Sequence, residues 1–211
     1  YAVPAVGFNN KTWTLYSSPY SGMYLARRSQ NGYRTDPYLY ALRAGSGAAY
    51  PQTAMNQTTG YAAVTWHGHE SGEIWLQLLS PEPAYIDDNL SVCETNTGAH
   101  PDVGVGTHVT VAWEDQRDSQ EQDIFIQSVE LDGTLSGSNE RVNNLGMNCE
   151  RPSVAMNGDT ALVVWENTNT GKILGQLFKS DSPLGGNFVI SEGFDNASSA
   201  CAGGSGNGRF A

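Results

Sequence analysis

One pattern recurs along this chain of 211 residues at intervals of roughly 50. A proline marks it at Pro4, Pro51, Pro101 and Pro152, so successive marks stand 47, 50 and 51 residues apart. Each mark opens a short apolar run, and a second run then ends on a large side chain: Leu15, Trp66, Trp113 or Trp165. A third run begins at Met23, Ile74, Ile124 or Ile173, and three of these end on glutamine, at Gln77, Gln127 and Gln176. The clearest copy runs from His100 to Gln127, where Val103, Val105 and the run ending at Trp113 precede a charged turn and Ile124-Phe-Ile. Val, Ile, Phe and Trp in short runs fit a pleated surface, and the Gly- and Asp-rich gaps between them read as turns.

A fourth, weaker strand is expected in each copy, at Leu39 to Leu42, Ala84 to Ile86, Glu140 to Val142 and Phe188 to Ile190. The first copy diverges, with Leu15 and Ala26 where the others carry Trp and Gln. The stretch Asn196-Ala-Ser-Ser-Ala-Cys-Ala, a glycine run and Gly208-Arg-Phe-Ala211 reads as a fifth copy that stops where its second strand should begin. Four strands per repeat, repeated, predict an all-β chain of four-stranded blades, a β-propeller. The blades fall at about residues 1–50, 51–100, 101–151 and 152–199, with 200–211 starting another. A blade has two apolar faces that it cannot bury alone, so blades must stack. Trp66, Trp113 and Trp165 are expected between them. The proline is expected at the first residue of its strand, where a missing N–H is tolerated. Four blades and a start are few for a ring. A remainder outside this sequence, a second chain or an unusually small ring would each close it, and the interrupted fifth copy favours a remainder or a partner.

Composition narrows the function classes. Apolar residues make up 39%, enough for a core, and no run of about 18 apolar residues would span a membrane. The formal net charge is −11, from 22 acidic and 11 basic residues, which argues against a nucleic-acid partner, because phosphate binding needs a basic face. The chain opens on Tyr1 with no signal peptide, so it reads as processed or as a fragment. Three cysteines, Cys93, Cys149 and Cys201, leave at least one thiol without a partner within the chain.

The segments Pro152-Ser-Val-Ala155 with Val163-Val-Trp-Glu166, and Trp113-Glu-Asp-Gln-Arg117 with Asp123-Ile-Phe-Ile-Gln127, resemble the repeats of secreted and extracellular β-propeller proteins. The resemblance covers about three of the four copies. It implies a surface, adhesive or scaffold role and brings no common catalytic set. The sialidase-type Asp-box and the Gly-His and Trp-Asp marks of the WD40 class are absent.

Several side-chain groups are candidates for a site. Trp66-His67-Gly-His69-Glu70 and Trp113-Glu114-Asp115-Gln-Arg117-Asp118 occupy equivalent hairpins. His67, His69 and Glu70 offer metal-type donors, but a two-His pair is unspecific and reads first as an exposed turn. Asp115, Asp118, Glu121 and Asp123 offer oxygens to Ca2+ without matching a known loop, and pairing of Asp115 with Arg117 is the plainer reading. Glu70, Glu114 and Glu166 recur at or near one place, which argues for a shared structural role rather than an active site. Tyr16, Tyr20, Tyr24, Tyr33, Tyr38 and Tyr40 crowd the first copy as sugar-stacking platforms or protein contacts. Asn10, Asn56, Asn89 and Asn196 begin glycosylation sequons, placed at turns or loop edges. Cys149 and Cys201, near copy boundaries, fit a disulfide or buried free thiols equally.

The expected function is a non-enzymatic extracellular scaffold or assembly subunit, secreted or on the cell surface. It would bind protein chains or glycans through its loop face, at Tyr20, Tyr24, His67, His69, Glu70, Asp115, Arg117 and Asp118, with no cofactor beyond the candidate Ca2+. The alternatives are a carbohydrate-active enzyme with carboxylates around a central channel, or a lectin with one sugar site per blade.

Overall fold

The structure, a computed structural model, describes residues 2–5, 11–18, 22–29, 31, 33, 40–42, 48–68, 71–82, 84–118, 121–194, 196–205 and 209–210. Side chains are described for Asn31, Tyr33 and the described residues from Ala48 onward. The first sheet holds β1 (Ala2–Ala5), β2 (Lys11–Ser18), β3 (Gly22–Ser29) and β4 (Tyr40–Leu42). The second holds β5 (Ala48–Met55), β6 (Ala62–Gly68), β7 (Glu73–Leu79) and β8 (Tyr85–Ser91). The third holds β9 (Gly98–Val105), β10 (Val109–Asp115), β11 (Asp123–Val129) and β12 (Leu135–Arg141). The fourth holds β13 (Cys149–Asn157), β14 (Thr160–Asn167), β15 (Lys172–Lys179) and β16 (Ser182–Val189). A short pair, β17 (Gly204–Ser205) and β18 (Arg209–Phe210), follows, so the fifth copy does reach its second strand. Every sheet is an antiparallel meander in chain order, which is the blade the repeat predicts.

The inner strands β1, β5, β9, β13 and β17 neighbour one another, and the sheets stack face to face around them. Trp66, Trp113 and Trp165 are 2%, 0% and 0% exposed, so all three indoles are buried as expected. Trp113 packs with Ile74, Leu76 and Leu78 of the second sheet, and Trp165 with Ile124, Ile126 and Val142 of the third. Leu162, Val164 and Ile173 of the fourth sheet pack against Ala197, Ala200, Ala202 and Phe210. Close approach of the inner strands leaves no room for some side chains: a Cβ at Gly106 would run into the Gly158 carbonyl, and one at Gly204 into the Met156 carbonyl.

The recurring glutamine also links blades. Gln127 Nε2 donates to Ser128 O at 2.9 Å and Ser136 O at 2.7 Å, while its Oε1 accepts from Asn139 Nδ2 at 2.7 Å. Asn139 Nδ2 also reaches back to Val92 O at 2.8 Å, and its Oδ1 accepts Glu94 N at 2.8 Å. Gln176, Asn187, Val142 and Asn144 repeat the arrangement one blade on. A buried amide is thereby satisfied while it ties an outer strand to the preceding sheet.

Two expectations need correction. The fourth strands β12 and β16 begin at Leu135 and Ser182, well before the apolar residues that first marked them. These outermost strands are largely exposed, so burial imposes no apolar alternation on their first halves. The prolines of the second to fourth copies do not start their strands: Pro51, Pro101 and Pro152 lie inside β5, β9 and β13, each at a break in pairing register. A bulge removes the need for the N–H that proline lacks.

Candidate functional site

The residue before each bulge proline has a left-handed backbone: Tyr50 (φ 48°), His100 (φ 43°) and Arg151 (φ 54°). Ser199 (φ 63°), before Ala200 in the fifth copy, holds the equivalent place. Such a backbone costs a non-glycine residue about 1–3 kcal/mol and persists only when its surroundings impose it. For Arg151 and Ser199 the surroundings include a carboxylate of the preceding blade. Glu114 Oε1 accepts the Arg151 backbone N–H at 2.7 Å, and Glu166 Oε1 accepts that of Ser199. The residue after Trp113 and the residue after Trp165 therefore each fix the strained turn of the next blade. His67, rather than Glu70, is the second-blade equivalent of Glu114 and Glu166, since it directly follows Trp66.

Three of these strained residues, Tyr50, His100 and Arg151, converge on a cavity of about 320 Å³ that Pro101, Pro152, Glu114 and Glu150 also line. The side chains of His100 and Arg151 are 42% and 60% exposed, and that of Glu114 is 6%. His100 Nδ1 lies 2.7 Å from Glu114 Oε2. Arg151 Nη1 lies 3.3 Å from Glu166 Oε1. The Tyr50 ring, 51% exposed, stands edge-on to His100 with centroids 4.1 Å apart and stacks at 6.2 Å with His67. One residue beyond Pro101, half-buried Asp102 accepts Val154 N from β13 at 2.8 Å. Burial pushes its pKa up, partly offset by hydrogen bonds from Val154, Val103 and Ser153. The mouth thus combines an aromatic face, hydrogen-bonding groups of both kinds and a carboxylate pair, Glu114 and Glu150. Ligand sites are built from such an apolar base with a few fixed polar groups.

Of the sequence-derived candidates with described side chains, Asp115, Arg117 and Asp118 do not line this cavity, and His67 stacks on its Tyr50. Asp115 and Arg117 turn into the fold, so they are not loop-face contacts. Asp115 Oδ2 accepts Trp113 Nε1 at 2.9 Å and Arg117 Nη2 at 2.7 Å, and its Oδ1 accepts Thr97 Oγ1 at 2.6 Å. Burial works against its charge, but the hydrogen bonds from Arg117, Thr97 and Trp113 bring its pKa down to about 2. Arg117 also lies 4.3 Å over the Phe125 ring and donates to Asn139 Oδ1 at 2.9 Å. Asp118 is exposed, 3.8 Å from Arg141, which lies equally far from Asp123. No three His, Cys, Asp or Glu residues converge as a cation site among the described residues, and the Ca2+ candidate loses Asp115 to Arg117.

Tyr24 lies on β3, and its side chain is outside the description. Asn10, Tyr20, His69 and Glu70 lie outside the described residues. Asn56 caps a turn, its Oδ1 accepting Thr58 N and Thr59 N while its Nδ2 donates to Gly106 O at 2.9 Å. Asn89 is inside β8 rather than at a turn, and Asn196 is exposed. Cys149 and Cys201 form no disulfide. Cys149 is buried in the cluster that contains Trp165, and Cys201 is exposed. Sequence reasoning missed Tyr50, His100, Glu150 and Arg151, although a signal was there: three of them precede a constant proline and differ from copy to copy.

No family model and no curated protein matches the sequence. Solved structures do. An α-L-arabinanase from Penicillium chrysogenum, complexed with arabinobiose, aligns with a TM-score of 0.65 at 12% identity, over 100% of this chain and 73% of that one. An exo-β-1,3-galactanase from Phanerochaete chrysosporium aligns with a TM-score of 0.52 at 9% identity, over 90% of this chain and 49% of that one. A subtype N10 neuraminidase-like protein of a little yellow-shouldered bat influenza isolate aligns at 0.55 and 11%, over 90% of this chain and 56% of that one. The chain is thus all-β, with the fold of a partial β-propeller, and it spans about half to three quarters of these neighbours. At 9–12% identity the likeness shows the fold alone.

Proposed function

We propose that this chain is a carbohydrate-active β-propeller segment that binds a glycan at the mouth formed by Tyr50, His100, Glu114, Glu150 and Arg151. The observation that carries this reading is the convergence of strained, ligand-facing residues from three consecutive blades on one cavity. Strain of this kind clusters where a structure holds a ligand. A sugar ring offers an apolar C–H face and a rim of hydroxyls, matching an exposed tyrosine above prolines and beside charged hydrogen-bonding groups. The neighbours named for arabinan, galactan and neuraminidase-like proteins share the fold and favour carbohydrate over the scaffold role. Hydrolysis of the bound glycan is the second reading. It is favoured by Glu150, which shares the cavity with Glu114 and, among the described residues, takes one long 3.4 Å contact from Asn148 Nδ2. An extracellular setting belongs to the same proposal and rests on the acidic composition. No helix of the described residues is long and apolar enough to cross a membrane.

Calorimetric titration with neutral oligosaccharides of pentoses and hexoses tests the binding. Tyr50→Ala and Arg151→Ala are each expected to weaken it about tenfold. Absence of heat with every oligosaccharide overturns the reading, and release of reducing sugar that vanishes in Glu150→Gln decides for the hydrolytic form.

A further inference from the structure

Within the mouth, His100 is held on two sides. Its Nδ1 edge meets Glu114 Oε2 at 2.7 Å, and its ring meets Tyr50 edge-on at 4.1 Å between centroids. A carboxylate has only acceptors to offer, so the proton of that contact belongs to Nδ1. Glu114 is itself fixed, because its other oxygen holds the Arg151 backbone N–H and its side chain is 6% exposed. A neutral imidazole with its proton on Nδ1 presents Nε2 as an acceptor. Nε2 has no partner among the described residues, and His100 lines the cavity. Beside it, Arg151 presents guanidinium N–H donors beyond those turned to Glu166.

Resting on the glycan reading above, we propose that Glu114 fixes His100 as a hydrogen-bond acceptor which, with the neighbouring Arg151 donor, selects adjacent hydroxyls of an uncharged sugar. A hydroxyl both donates and accepts, so two adjacent hydroxyls satisfy an acceptor and a donor together. A carboxylated sugar does not. It meets the Nε2 lone pair and the carboxylates of Glu114 and Glu150, while Arg151 is already shared with Glu166. His100 is therefore a specificity-determining residue, and Glu114 positions it.

Two measurements on the full chain test this. Nitrogen-15 NMR of the wild-type protein at pH 8 should show His100 as the Nδ1–H tautomer, and Glu114→Gln should relax it toward the Nε2–H form. An Nε2–H tautomer in the wild type overturns the proposal whether or not any sugar binds. Titration with a neutral pentose or hexose disaccharide, and separately with digalacturonic acid, supplies the second arm. His100→Phe keeps a ring against Tyr50 and removes both nitrogens, and it should weaken neutral-sugar binding about tenfold, with thermal unfolding checking that it folds. Unchanged affinity in His100→Phe, or tighter binding of the uronic disaccharide, sinks this inference and leaves the glycan reading standing. Failure of every sugar to bind the wild type sinks the glycan reading itself.

Discussion

The hairpin after Trp113 and the hairpin after Trp165 occupy the same place in adjacent blades, yet one position in them does opposite work. In both, the residue after tryptophan is a buried glutamate that fixes a strained turn in the next blade. In the third sheet the next residue, Asp115, gathers Trp113, Thr97 and Arg117 around a buried charge. In the fourth sheet it is Asn167, which caps its own turn by accepting Asn169 N at 3.1 Å and Thr170 N at 3.2 Å. Trp165 then has no carboxylate for its Nε1, and its neighbour is the Cys149 thiol. The glutamate is shared by these two blades, with His67 in its place in the second, whereas the position after it differs between them in both residue and partners.

The largest expected effect separates these two positions directly. Asp115→Ala leaves Arg117 half-buried without its carboxylate and should cost about 3–5 kcal/mol in urea unfolding. Asn167→Ala loses a neutral turn cap and should cost about 1 kcal/mol. Equal losses would break the comparison.

Acid sharpens it next. The folded pKa of Asp115, about 2, lies below its ordinary value of 3.8. Asp115 therefore contributes stability that is present above about pH 4 and lost as pH falls toward 2. That amounts to about 2 kcal/mol by linkage. Between pH 5 and 2 the unfolding free energy should fall by this amount more in the wild type than in Asp115→Asn, whose residual slope reports the other carboxylates. Coincident slopes would remove Asp115 as the acid-sensitive group.

The smallest effect is chemical. Burial pushes the Cys149 thiol up to about 12, and desolvation also raises that of Cys93. A thiol-reactive dye at pH 8 should label Cys201 quickly and the other two only on unfolding, because the thiolate is the reactive form. Rapid labelling of Cys149 would mean that the interface around Trp165 opens far more readily than that around Trp113.

Part of this was legible in the chain. The blade repeat and the burial of Trp66, Trp113 and Trp165 followed from spacing alone, because burying both faces of a small sheet forces apolar residues to recur at fixed intervals. The outer strands were read short, since exposed residues such as Leu135, Gly137 and Ser138 are under no such demand. Arg117 was read as a loop contact because nothing local shows that Asn139, from the next outer strand, waits for its guanidinium.

By itself, then, the sequence determined the sheets, their order and the indoles between them, all properties carried by short-range alternation. Only the tertiary structure decided that a left-handed residue precedes each bulge proline, and that Tyr50, His100 and Arg151 meet at one mouth. Those residues lie about 50 positions apart, and the left-handed backbone of Arg151 is held there by Glu114 of another blade. The recurring proline marks where these residues stand, but nothing in the chain shows that their side chains meet, because the contacts that join them run between blades.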